Sequence, residues 1–477
     1  MEPLVIGRRE FRDRVFGCWL GKNIGGTLGA PHEGKRYALG LEFFEPLPEK
    51  AAANDDLDLQ LVWLQMLEEQ GTDPALPHFA EYWARHASAY PWNEYGFFMR
   101  NYTRGLRPPV AGCFENYFVD EMGSPIRSEI WACLHPGDPQ AAARMAWKDS
   151  AVDHAGGEGM WGEMFWAAVE SAAFVESDPL TLLRLGLAMI PISSHVGRSI
   201  REAVWCWEKK LSWGDARERI ASRFGHVQPC NAVPNHGFTV LGWLYGRDFG
   251  DRLLKAVNCG YDTDCTGATL GSLLGILEGG SGIPERWRKP VGLDIVLHKF
   301  TRFLDAPRTI DALTERTVAL AEKAIAGSPE RQFGERTKKP ADLRSRLFRT
   351  ELAQAARAQD THAATELCEG QPVTLHYGGE PVLWPGIARE LTVEAGASEV
   401  ELSVPEGWTC ERLGPARFRI GAKGEVPGRN RLQVKLSGGR SVSFTILGPA
   451  EAKGFPAGEN VEKCTRCWAR IEACVCG

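Results

Sequence analysis

Two short acidic stretches hold the residue types and spacing that could do chemistry. The first is Asn54-Asp55-Asp56-Leu57-Asp58, directly before an apolar-periodic helix. Taken alone it fits N-capping, because Asn and Asp cap well and acids favour the positive end of a helix dipole. The second is Asn258-Cys-Gly-Tyr-Asp262-Thr263-Asp264-Cys265-Thr266-Gly267, where Asp262 and Asp264 stand two apart in a Gly-flanked loop and can point to one side. Carboxylates gathered this closely raise one another's pKa, and a divalent cation removes the repulsion. Oxygen-rich, sulfur-poor ligation favours Mg2+, Mn2+ or Ca2+ over Zn2+. With the hydroxyls of Thr263 and Thr266 nearby, a two-metal centre is feasible if the two stretches meet in space. Spacing along the chain leaves that condition open.

The elements that must bring them together read as helices. From Phe11 to about Ala326, apolar residues recur three and four apart, as in Leu57, Leu61, Leu64 and Leu67 or Ala167, Val169, Ala172 and Val175. Between the helices lie Gly-, Pro- and Asn-rich stretches at 21–34, 107–123, 154–162, 229–237 and 260–267, read as loops. The run Ala268-Thr-Leu-Gly-Ser-Leu-Leu-Gly275 has a small residue at nearly every turn, which allows very close backbone packing. After about Glu366 the texture changes to period-two alternation at 372–377, 388–393, 399–404, 431–436 and 441–446, separated by turn residues. The expected organisation is an all-α domain over 1–330, a charged helical linker over 331–365, a small antiparallel β-sandwich over 366–450, and a Cys-rich tail over 451–477.

The tail holds Cys464, Cys467, Cys474 and Cys476 in thirteen residues, a four-thiolate pattern suited to structural Zn2+. It is similar to the zinc knuckles that end some synthetases and DNA glycosylases, with C-x-C in place of C-x2-C in the second pair. The 477 residues carry 55 Lys+Arg against 61 Asp+Glu, a formal charge of −6, with 44% hydrophobic residues. That excludes a basic nucleic-acid coat, a disordered chain, a collagen repeat and a coiled coil, and neither nucleic acid nor membrane is expected as a partner. No apolar run reaches the length of a spanning helix, and the first eleven residues lack the apolar core of an export signal. Thirteen scattered cysteines suit reduced thiols, so the expected location is cytoplasmic.

The order of motifs resembles the ADP-ribosylglycohydrolases. The family's opening Gly-rich text ending in an acid resembles Gly17-Cys-Trp-Leu-Gly-Lys-Asn-Ile-Gly-Gly-Thr-Leu-Gly-Ala-Pro-His-Glu33. Its Thr-Asp-Asp resembles Asn54-Asp55-Asp56, and two further motifs resemble Gly105-Leu-Arg-Pro-Pro109 and Met122-Gly-Ser-Pro-Ile-Arg127. Its Thr-His resembles Asp153-His154, and its Gly-Gly-Asp-Thr-Asp-Thr resembles Gly260-Tyr-Asp262-Thr-Asp264-Cys265. The resemblance covers residues 11–325. It departs at Asn54 and Cys265, each standing where the family has Thr, at Tyr261, where it commonly has Gly, and in the added β domain.

The resemblance implies two Mg2+ (or Mn2+) held by Asp55, Asp56, Asp262 and Asp264, with Asn54 and Thr266 as further ligands. It implies catalytic roles for Glu33, Asp55 and Asp56, with His154, Gly123, Ser124 and Tyr261 against the substrate. The reaction would be hydrolysis of a ribosyl glycosidic bond, through an oxocarbenium-like transition state, in an ADP-ribosylated protein or a small ribosyl or glycosyl compound. A same-fold glycosidase acting on another small N- or O-glycoside is the alternative, and a silent ADP-ribose or glycan binder a third. Trp92, Tyr95, Tyr102, Trp131 and Trp161 are candidates for stacking on base or sugar, and Arg100, Arg104, Arg107 and Arg127 for phosphate, with scaffold roles equally open.

Overall fold

Glycines spaced four apart govern how the first helix packs. The stretch 21–34, expected as a loop, is helical as far as Gly29, within a helix spanning Arg8–Gly29. Interior glycine costs a helix roughly 1 kcal/mol against Ala, and here close backbone approach offsets it. A Cβ on Gly17, Gly21, Gly25 or Gly29 would fall 2.3, 2.0, 1.9 or 2.1 Å from the carbonyl oxygens of Gly275, Gly271, Gly267 and Thr263. Those carbonyls belong to the Thr263–Glu278 helix, whose Gly267, Gly271 and Gly275 meet the first helix in return. The pairing runs antiparallel, so the end of one helix meets the start of the other. Glu33 thereby arrives beside Asp262 and Asp264.

The computed structural model of the chain describes residues 2–396 and 399–451. Helices fill it from Arg8 to Ile325. The expectation of an all-α domain needs one correction, because Leu4–Gly7 is a strand that pairs in parallel with Arg331–Gly334. The segment expected as a helical linker therefore opens as a strand, followed by short helices Leu343–Leu347 and Glu351–Arg357. The alternating burial of Leu4 and Ile6 docks this pair on the helical body.

The later strands form two antiparallel sheets. One orders Ala363–Cys368, Gln371–His376, Arg389–Glu394, Arg417–Ala422 and Trp408–Arg412; the other orders Ser441–Leu447, Arg429–Leu436 and Val400–Ser403. Val373, Leu375, Leu391, Val393, Phe418 and Ile420 bury one face of the first sheet, and Leu432, Val434, Phe444 and Ile446 that of the second. The strand Trp408–Arg412 escapes the period-two pattern because, at the sheet edge, its residues are mostly exposed. Arg104 pairs with Glu451 at 3.0 Å and Arg107 with Glu366, tying the sheets to the helices. Cys464, Cys467, Cys474 and Cys476 lie outside the described residues. Among the described residues no helix is long and apolar enough to cross a membrane.

Candidate metal centre and its buried neighbour

Three helix ends meet at the acidic cluster. Asn54 caps the Asp55–Gln70 helix, its Oδ1 accepting from the Asp56 amide at 2.8 Å. Its Nδ2 sits against Gly26, where a Cβ would come within 2.5 Å. The Glu33 loop is clipped to the Asp262 loop by two backbone bonds, Gly34 N–H to the Tyr261 carbonyl at 2.9 Å and Tyr261 N–H to that of Lys35 at 2.7 Å. Thr263 Oγ1 donates to the Gly29 carbonyl at 2.8 Å.

Asp262 occupies the N-cap of the Thr263–Glu278 helix without capping it. It is 1% exposed, and neither carboxylate oxygen has a hydrogen-bond partner. Asp56 Oδ1 and Asp264 Oδ1 are likewise buried and unpartnered. The nearest cation is Lys22, whose Nζ lies 3.9 Å from Asp56 Oδ1 but is held by Glu129 at 2.8 Å. Buried polar atoms are normally satisfied, and these bare oxygens gather in one place, which makes the cluster a candidate cation site.

The electrostatics agree. Glu33, exposed at the edge of the cluster, is pushed up to about 8, first by the charge of Asp264, then by desolvation and by Asp55. Half-buried Asp55 is raised to about 6 by burial and by Asp264, while the Trp92 indole N–H, 2.9 Å from its Oδ2, works the other way. Burial raises Asp56, Asp262 and Asp264 as well. Desolvation leads the shift at each aspartate, and the charge of Asp264 leads it at Glu33.

Sulfur enters where oxygen is expected. Glu33, Cys230 and Asp262 offer ligand atoms within 4.8 Å of one another, as do Asp56, Asp264 and Cys265. Cys230 has no motif around it and nothing local singles it out. The Thr266 hydroxyl is buried and donates to the Thr263 carbonyl at 3.2 Å, and Cys265 stands beside the acids.

Three other expected substrate residues belong to a second, adjoining network. Arg127 is fully buried, bidentate to Asp153 at 2.8 and 2.9 Å, paired with Asp149 at 2.8 Å, and donating to the Gly123 carbonyl at 2.8 Å. His154 Nδ1 lies 2.8 Å from Asp153 Oδ1, and Ser124 Oγ bonds Ser150 and Glu163. Gly123 thus bonds Arg127 directly, His154 joins the network through Asp153 and Ser124 through Glu163, and Arg127 is its buried cation. Tyr261 is 6% exposed, and its ring packs on Phe238 at 5.2 Å with the Arg217 guanidinium 5.9 Å away. Its φ of +69° is the backbone state that suits the glycine expected there. Among the aromatics, Tyr95 and Trp131 are core, and Trp92, 40% exposed, stands at the cluster.

A family model described as ADP-ribosylglycohydrolase matches residues 8–328. An uncharacterized protein of Archaeoglobus fulgidus is 23% identical over 298 residues, 58% of this chain and 90% of that one. A solved structure titled an ADP-ribosylglycohydrolase-related protein complex is 20% identical with a TM-score of 0.44, covering 67% of this chain and 99% of the other. The family match takes in both trios of possible ligands and the Arg127 network, and stops where the sheets begin. The chain belongs to the ADP-ribosylglycohydrolase family.

Proposed function

We propose that this chain is a divalent-cation-dependent hydrolase of a glycosidic bond to a ribosyl group, with an ADP-ribosyl adduct as the family-based substrate. One observation carries the reading: Asp55 and Asp56, some two hundred residues from Asp262 and Asp264 in the chain, meet with Glu33 around bare buried oxygens that lack a matching cation. Asp56, Asp262 and Asp264 would hold the ions, with Asp55 beside them. Bound cations supply a template for vicinal hydroxyls and an acidified water.

The chain's own groups do the rest. Glu33, with its carboxyl near 8 in the cation-free cluster, keeps its proton at neutral pH and can pass it to the leaving atom. A cation nearby lowers that value, so both protonation states come within reach of neutrality, as a general acid–base requires. Trp92 fixes the Asp55 carboxylate through its indole N–H and, with Phe300 at 5.8 Å, presents an aromatic face beside it.

The test is a panel of ADP-ribosyl adducts and small glycosides, with and without chelator. Chelator-sensitive release of ADP-ribose is expected, and Glu33→Gln should cut turnover about 10²–10⁴-fold while ligand binding persists. The sheets joined at Arg104–Glu451 and Arg107–Glu366 lie beyond the family match, and they favour a second reading, a glycosidase for another small glycoside. Release from plain glycosides alone would select it. Binding of ADP-ribose with no turnover on any compound would leave a silent binder and end both readings.

A further inference from the structure

Nine free cysteines lie among the described residues. Cys113, Cys259, Cys368 and Cys410 donate to main-chain carbonyls, as a weak S–H donor can. Cys230 and Cys265 differ. Cys230 Sγ faces Glu33 Oε1 at 3.5 Å, and Cys265 Sγ faces Asp56 Oδ2 at 3.7 Å. Each thus joins two carboxylates in a trio whose donor atoms lie within 4.8 Å of one another. Donors on opposite sides of one ion, at bond lengths of about 2.0–2.3 Å, stand roughly 4–4.6 Å apart, so each trio already has the compass of a single coordination sphere. Asp262, 1% exposed with both oxygens unpartnered, and Asp56 Oδ1 supply the buried atoms aimed into these spheres.

We propose that Cys230 and Cys265 are metal ligands, and that the centre takes a borderline, thiophilic divalent ion of the Zn2+ and Co2+ class in preference to Mg2+. Mg2+ demands near-octahedral oxygen ligation and keeps its waters, whereas thiolate joined with carboxylate selects softer ions. The Cys265 trio supplies one sulfur and two carboxylate oxygens, while Cys230 and Asp262 bring one of each and leave the Glu33 carboxyl beside them free to carry its proton. Three protein ligands leave a position open, the arrangement of reactive rather than structural sites. Each thiol releases its proton to solvent as its metal–sulfur bond forms. The inference rests on reading the cluster as a metal centre and is independent of the substrate.

The experiment uses the full chain carrying Cys464→Ser, Cys467→Ser, Cys474→Ser and Cys476→Ser, so that the tail thiols cannot report. After chelator treatment the protein is titrated with Co2+, and thiolate-to-cobalt charge-transfer absorption is read in the near ultraviolet. The absorption should appear, survive a large excess of Mg2+, and bleach on adding Zn2+. Cys265→Thr and Cys230→Ser should each weaken it, their combination abolish it, and Zn2+ affinity fall about 10- to 100-fold. Should Cys265→Thr fail to fold, Cys230→Ser alone, checked by circular dichroism, decides the matter. Cobalt bound without charge-transfer absorption, or displaced by equimolar Mg2+, would overturn the proposal. Mg2+-supported, chelator-sensitive ribosyl hydrolysis in a protein lacking the absorption sinks this inference and spares the proposed activity. The absorption with no ribosyl hydrolysis does the reverse.

Discussion

Two groups of buried acids adjoin in the helical part, and Glu94 lies within electrostatic reach of both. Around Arg127, Asp153 is held below its ordinary value because the guanidinium and His154 outweigh its burial. Asp149 rises to about 6 from burial, and Glu163 rises further. That group contains its own cation. Around Glu33 and the aspartates every carboxyl is raised, and Lys22, the cation paired with Asp56 among the described residues, is committed to Glu129. Buried acids are therefore no guide to function by themselves; the missing counter-charge is.

The largest effect tests that contrast directly. Arg127→Met strands two buried carboxylates and should cost about 3–5 kcal/mol, read as a fall in the urea midpoint. Asp262→Asn removes a charge that nothing balances, so in chelator its midpoint should equal or exceed that of the parent. It should also lose the stabilisation that cations give the parent, about 2.7 kcal/mol at a hundred times Kd. Equal losses for both variants in chelator would erase the distinction.

How much of this could be read from the chain differs by residue. The aspartates were legible because two pairs recur in the same chemical company, and the β segments because alternation survives wherever one face is buried. The first helix was hidden: glycine reads as a loop-former unless a second chain segment with matching four-residue spacing is known to lie against it. Ser124 and His154 sit in motifs that run past the site, but their side chains bond Glu163 and Asp153, acids of the Arg127 network. Cys230 owes its place to Glu33 and Asp262, both far away in sequence, and no local pattern encodes such a meeting.

Glu94 sharpens the comparison through pH. Burial raises its carboxyl to about 8, with Asp153 and Asp55 adding to the shift and Arg127 opposing it; Glu94 in turn helps raise Glu121. A folded value above the unfolded one means stability that is full below about pH 4.5 and is lost as pH rises through about 8. Cation-free protein should therefore lose on the order of 3 kcal/mol more between pH 5 and pH 8 than Glu94→Gln does. Urea midpoints at the two pH values check this. Parallel slopes would mean that Glu94 is ionised in the folded state and that the two groups are screened from each other.

The smallest effect concerns a device both groups share. Trp131, fully buried, donates its indole N–H to Asp149 at 3.1 Å and Glu163 at 3.0 Å. Trp92, partly exposed, donates to Asp55 at 2.9 Å. In the first case the indole joins a network that contains the Arg127 cation; in the second it orients a carboxylate with no ion pair of its own among the described residues. Trp92→Phe keeps most of the ring and removes one hydrogen bond worth about 1 kcal/mol, so cation affinity should fall about fivefold, measured by Co2+ or Mn2+ titration, with little change in the chelated midpoint. An unchanged affinity would place Asp55 outside the coordination sphere and leave Asp56, Asp262 and Asp264, with the two thiols, to hold whatever binds there.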